Sequence, residues 1–139
     1  MPELSITDEP SRDDVQFLDD RLYEFNATRT GIHDGRLLGI FAHDPGGQII
    51  GGLYGWTWGG CCEIRLLWVH EAWRGKRLGT RLLERAESEA RARGAVQIVL
   101  DTHSFQAPRF YERLGFELVG AVADCPTGHE KIYMRKRLD

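Results

Sequence analysis

The apolar positions of the chain change period several times, and each change marks an element. A short strand is expected at Leu4 to Thr7. Ser11 then stands as a helix N-cap with Asp14 at the capping-box position, and Val15, Leu18, Leu22 and Phe25 recur at helical spacing. That pattern predicts an amphipathic helix ending near Asn26. From Thr28 to Asp34 the chain carries Gly31 and polar residues without periodicity, so a loop is expected. Two apolar and aromatic runs follow, Arg36 to His43 and Gln48 to Trp58, separated by Asp44-Pro45-Gly46-Gly47. Such turn chemistry predicts an antiparallel hairpin.

After Gly59-Gly60 a third strand is expected from Glu63 to Val69. Beyond it, Leu78, Leu82, Leu83, Ala86 and Ala90 form one apolar helical face, with Glu87/Arg91 and Glu89/Arg93 as i,i+4 pairs and Gly94 as the stop. The run Val96 to Leu100 is short, β-branched and uncharged, as a strand buried on both faces would be. It leads into Asp101-Thr102-His103-Ser104. A further helix is expected from Ala107 to Leu114, with Pro108 tolerated in its first turn and Gly115 ending it. Strands at Phe116 to Val122 and Lys131 to Leu138 complete the order β-α-β-β-β-α-β-α-β-β. With no repeat or linker, residues 1–139 read as one α/β domain.

Composition narrows the function classes. Lys and Arg number 18 against 21 acids, so no global positive field draws nucleic acid, and any anion site must be local. Three cysteines, two of them adjacent at Cys61 and Cys62, make neither a disulfide framework nor a metal-ligand spacing, and no metal is expected. No stretch has the apolar length of a membrane span, and the first residues lack the basic start and apolar run of a signal peptide. A cytoplasmic protein without a membrane partner is the expectation.

The chemistry concentrates where the third strand runs into a turn that opens a helix, through Arg74-Gly75-Lys76-Arg77-Leu78-Gly79-Thr80. The first N–H groups of a helix lack intrahelical acceptors and sit at the positive end of its dipole. Arg74, Lys76, Arg77 and Arg81 add four cations with no acid between them, which suits a pyrophosphate better than a single carboxylate. The glycine spacing fits neither a P-loop nor a dinucleotide fingerprint.

On these residues the chain resembles the GNAT acetyltransferase superfamily. Its acetyl-CoA signature of Arg or Gln, two residues, Gly, one residue, then Gly or Ala is matched by Arg74 and Gly79. Arg77 stands where glycine is usual. Ser104-Phe105-Gln106-Ala107-Pro108-Arg109-Phe110-Tyr111-Glu112-Arg113-Leu114-Gly115-Phe116 is similar to the family's second block, with Ser104 in place of asparagine. The resemblance implies a mixed, mostly antiparallel sheet flanked by helices, with a central parallel strand pair splayed around the cofactor. It implies acetyl-CoA bound by the turn from Arg74 through Gly75, Lys76, Arg77, Leu78 and Gly79 to Thr80, by the strand residues Leu67, Trp68 and Val69, and by Ser104. It makes Tyr111 the group that protonates the departing thiolate. An arginine at position 77 is expected to keep ordinary helical geometry, with its side chain outward or folded over a phosphate.

The expected reaction is direct transfer of acetyl to an amine of a small molecule or protein. A non-catalytic acyl-CoA sensor is the alternative, and a homodimer is a compatible assembly. Glu63 is the first candidate for the base, against the reading of a solvent-facing strand glutamate, and Asp101 and His103 stand in reserve. Trp56, Trp58, Trp68 and Trp73 are expected around the active strand pair. Tyr23, Phe25, His33 and Tyr54 could line an acceptor pocket, although aromatics at strand spacing are more often core.

Overall fold

A computed structural model describes all residues, 1–139, in two compact units, Met1–His33 and Asp34–Asp139. In the first unit one helix, α1, spans Arg12–Thr30. Ser11 caps it, its Oγ accepting the Asp14 N–H at 3.1 Å. The helix runs past Asn26 because Ala27 to Thr30 contain no breaker; Gly31, at φ 74°, supplies the left-handed exit and donates its N–H to the Ala27 carbonyl. The strand expected at Leu4 to Thr7 does not form: Leu4 and Ile6 are 94% and 100% exposed. A segment of four residues is too short to hold itself extended. The helical stripe is present, but Val15, Leu18, Leu22 and Phe25 remain 51–69% exposed.

The second unit is a six-stranded sheet carrying two helices. The strands β1 (Arg36–His43), β2 (Ile49–Trp58), β3 (Cys61–Val69), β4 (Gln97–His103), β5 (Glu117–Ala123) and β6 (Glu130–Arg137) lie in the order β1-β2-β3-β4-β6-β5. Every neighbouring pair is antiparallel except β3–β4. The first hairpin closes through Asp44, whose Oδ1 accepts the Gln48 N–H at 3.0 Å and whose own N–H bonds the Gln48 carbonyl.

Helix α2 (Leu78–Ala92) buries Leu78, Leu82, Leu83, Ala86 and Ala90, the face marked by the sequence. Leu83, Ala86 and Ala90 pack with Leu38, Leu53, Cys62, Ile64, Ile98 and Leu100. Tyr111 of the short helix α3 (Pro108–Arg113) joins the same core. Successive strand side chains point to opposite faces, so this packing defines a helix-covered face. Tyr54, Trp56, Trp58, Leu66 and Trp68 alternate with its buried positions and occupy the far face. The strand β4 is not buried on both faces: Ile98, Leu100 and Thr102 are buried, whereas Gln97, Val99, Asp101 and His103 are half-buried. Its far-side positions are only half-buried, which relaxes the demand for continuous apolar sequence.

The parallel pair is short. Cys61 to Ile64 pair with Gln97 to Leu100, and there the ladder stops. At the same level β3 slips register against β2, with Gly55 opposite Ile64 and Tyr54 opposite Leu66, so that Arg65 is the extra residue of a bulge. Only glycine fits at position 55, since a Cβ there would collide with the Glu63 carbonyl oxygen. Beyond the bulge β3 stays with β2 and β4 stays with β6. Their facing edges open into a gap.

Candidate active site

The gap is the mouth of a cavity of about 720 Å³. Leu67 and Val69 of β3 form one wall, Thr102 and His103 of β4 another, and Ala107, Phe110 and Tyr111 of α3 a third. The turn into α2 closes one end with Arg74, Gly75, Arg77, Leu78, Gly79 and Thr80.

That end is built to receive an anion. No side chain caps α2, whose N-cap is Arg77. Its first intrahelical bond runs from the Arg81 N–H to the Arg77 carbonyl, so the preceding N–H groups have no helical acceptor. The Arg74 Nε donates to the Val69 carbonyl at 3.0 Å and ties the turn back to the end of β3. A one-turn 3₁₀ helix at Glu71–Trp73 bridges the two, capped by His70 Nδ1 accepting the Ala72 N–H. Gly79 permits close packing, because a Cβ there would lie 3.3 Å from the Phe110 ring.

Arg77 departs from the expectation of ordinary helical geometry. It sits at φ 66°, ψ 12°, in the left-handed region. The chain must reverse between Gly75, itself at φ 75°, and the helix, and the fold imposes at residue 77 a conformation natural to glycine.

At the other end Tyr111 is 8% exposed and packs edge-on against Phe110 and Phe116. Burial, and secondarily the negative charge of Asp101, push its phenol up to about 12. The hydroxyl therefore holds its proton throughout the neutral range. Gln106 organises the loop after β4: its Oε1 accepts from Thr102 Oγ1 at 3.2 Å and from the His103 N–H at 2.9 Å, and lies 2.9 Å from His103 Nδ1.

A family model described as the acetyltransferase (GNAT) family matches residues 3–116. The chain belongs to this family. It is 37% identical over 118 residues to an acetyltransferase of Agrobacterium fabrum, covering 85% of this chain and 86% of that one. To the blasticidin-S acetyltransferase of Streptomyces morookaense it is 38% identical over 107 residues, covering 72% and 76%. The 1.9 Å crystal structure of an acetyltransferase from Bacillus cereus superposes with a TM-score of 0.79 at 28% identity, over 96% of this chain and 98% of that one.

Within this acetyltransferase most residues picked from the sequence share the cavity: Leu67, Val69, Arg74, Gly75, Arg77, Leu78, Gly79, Thr80 and Tyr111 all line it. Four others are placed outside its walls. Lys76 lies over the Trp73 ring at 5.4 Å. Trp68 is on the far face, against His70. The Ser104 hydroxyl accepts the Glu130 N–H at 2.9 Å and so anchors the start of β6. Glu63 is exposed on the far face, opposite Trp56 in the ladder. Of the tryptophans only Trp73 lines the cavity, and Tyr54, Trp56 and Trp58 flank Glu63's face. Arg65, Gln106 and Arg113 also line it and were not singled out. Gln106 stood inside the second sequence block. Nothing in the local pattern marks Arg65, because its position depends on the bulge.

Proposed function

We propose that the chain transfers the acetyl group of acetyl-CoA to a primary amine by direct attack within a ternary complex. The supporting observation is that one cavity joins an uncapped, arginine-flanked helix start to a buried tyrosine that keeps its proton. The residues present suit the donor: the N–H groups at the start of α2 with Arg74 and Arg77 fit a pyrophosphate, and the unpaired inner edge of β3 at Leu67 to Val69 fits the amide-bearing arm that follows. The thioester would then lie towards Tyr111.

There the amine nitrogen attacks the carbonyl carbon, the tetrahedral intermediate collapses, and the C–S bond breaks. Tyr111 gives its phenolic proton to the sulfur. The proton shed by the new amide nitrogen restores the phenol, so no covalent enzyme intermediate is needed. Three free cysteines fit a reducing cytoplasm. No helix is long and apolar enough to cross a membrane. Release of the free thiol from acetyl-CoA, followed across a panel of primary amines, tests the proposal. Failure of every amine, with acetyl-CoA still raising the melting temperature, would leave an acyl-CoA sensor instead.

A further inference from the structure

A second cavity, of about 180 Å³, lies at the opposite end of α2 from the donor site. The helix has 15 residues, so its ends stand about 22 Å apart, and the two cavities share no lining residue. Arg93, the C-cap of α2, forms one wall. Arg36 of β1 and Thr57 of β2, opposite each other in the ladder, form the floor, and Asp34 stands on the rim. Arg36 shares its strand face with the buried Leu38, which directs its side chain under the helix end. Glu89 records both arginines: its carboxyl is held low by Arg93 first and, more weakly, by Arg36.

Arg93 is the decisive group. Its side chain is only 10% exposed, yet part of its donor set is unused. Nε bonds Glu89 Oε2 at 2.8 Å, and Nη1 serves the Leu37 carbonyl at 3.1 Å, Thr57 Oγ1 at 3.2 Å and the Arg36 carbonyl at 3.5 Å. Nη2, with two N–H groups, has no protein acceptor. No fully buried side-chain nitrogen or oxygen of the chain lacks a partner, so Nη2 meets open space, and the space beside it is this cavity. The guanidinium is thus fixed on one edge and presented on the other. Arg36 makes no ion pair, and neither does Asp34, whose Oδ1 accepts only the Gly59 N–H at 2.9 Å. The helix end itself does not compete, since the Ala90 carbonyl takes the Arg93 and Ala95 N–H groups and the Arg91 carbonyl takes that of Gly94.

We propose that this cavity is a second ligand site, for a small α-amino acid held as its zwitterion: the carboxylate lies on Arg93 Nη2 and the Arg36 guanidinium, and the ammonium on Asp34. Charged groups of both signs border one space without pairing, so a ligand carrying both signs satisfies all three. A plain anion fits the arginines but meets Asp34, and a plain amine fits Asp34 but meets the arginines. Size narrows the class further. At about 30 Å³ for each water, the cavity has room for about six non-hydrogen atoms, as many as alanine has. The ligand binds without reacting, and the site stands whether or not the chain transfers acetyl.

The test is isothermal titration calorimetry on the full chain with L-alanine, with propionate as the same skeleton without its ammonium, with L-phenylalanine for size, and with inorganic phosphate. We expect L-alanine to bind saturably with a Kd of about 1 mM or tighter, and propionate to bind at least about ten-fold more weakly. L-phenylalanine should give no saturable heat. Asp34→Asn keeps the oxygen that accepts the Gly59 N–H and should bring alanine down to the affinity of propionate. Arg36→Gln should weaken both ligands about ten-fold. Saturating acetyl-CoA should leave the alanine titration unchanged, because the two cavities are separate. No saturable alanine binding up to about 50 mM, well above the affinity two charge contacts give, would overturn the site. So would phosphate binding more tightly than alanine, competition by acetyl-CoA, or alanine binding that neither variant changes, which would put the amino acid elsewhere. Should Arg36→Gln fail to fold, Asp34→Asn decides alone, since it is an exposed substitution of equal shape.

Discussion

Replacing Arg77 with glycine should make the acetyltransferase more stable and its hold on acetyl-CoA weaker, two effects of opposite sign from one substitution. Arg77 is exposed and occupies the left-handed region at φ 66°. A side chain there costs about 1–2 kcal/mol relative to glycine. Glycine also loosens the unfolded chain, which takes back about 0.4–1 kcal/mol. The difference leaves a net gain of about 0.5–1 kcal/mol, or a melting temperature higher by about 2–4 °C for a chain of this size. On the proposed function, the lost guanidinium also removes an exposed charge from the pyrophosphate site, worth about 1 kcal/mol or less. Thermal unfolding of Arg77→Gly and Arg77→Ala, each with and without acetyl-CoA, separates the two. Alanine loses the charge but keeps the strained backbone, so without ligand it should melt near the wild type and below glycine. Both variants should show a smaller rise on adding acetyl-CoA. Equal melting temperatures for the two ligand-free variants, or a glycine variant less stable than wild type, would refute the strain argument.

Other positions give independent checks. Gly55→Ala forces a Cβ into the Glu63 carbonyl and should destabilise the fold by at least about 2 kcal/mol in urea unfolding; a near-neutral result would mean the bulge is misplaced. Gly79→Val presses on Phe110 and Val69 and should abolish the thermal shift from acetyl-CoA while leaving a folded protein by circular dichroism. Tyr111→Phe should preserve acetyl-CoA affinity and lower turnover about ten- to a thousand-fold. Tyr111 has a second signature. Its folded pKa lies above the ordinary tyrosine value, so its contribution is fully present below pH 10 and is lost as pH rises through about 12. Alkaline destabilisation across that window should be weaker in Tyr111→Phe, with the remainder carried by Cys62, whose buried thiol is raised to about 11.

Features set by short stretches of chain were legible in the sequence. The apolar face of α2, the Ser11 cap and the Asp44 hairpin each follow from spacing within a few residues, and the structure has them where the spacing puts them. The turn that opens α2 was legible for the same reason. What depends on distant chain was not. A strand at Leu4 to Thr7 needs a partner edge that no local pattern supplies. Arg77 reads as a helix-compatible residue until the reversal after Gly75 forces its φ positive. Glu63 ranked ahead of Asp101 as the candidate base because it starts the strand that leads to the turn. Only the bulge at Arg65, made possible by the missing side chain of Gly55, decides that the sheet parts beside Asp101 and leaves Glu63 on intact ladder.

The short parallel pairing has a mechanical consequence. Strands β1-β2-β3 and β4-β6-β5 are two three-stranded leaves stitched together by four residue pairs along one seam. A hinge of that width lets the leaves breathe, and peptide groups on the inner edges beyond Ile64 and Leu100 should exchange their hydrogens early. A ligand lying in the gap with amides of its own would splint the leaves like a missing strand. Hydrogen exchange should then slow on Leu66 to Val69 and on Thr102 and His103 together, although the two segments belong to different leaves, and the sheet should unfold as one body only when loaded.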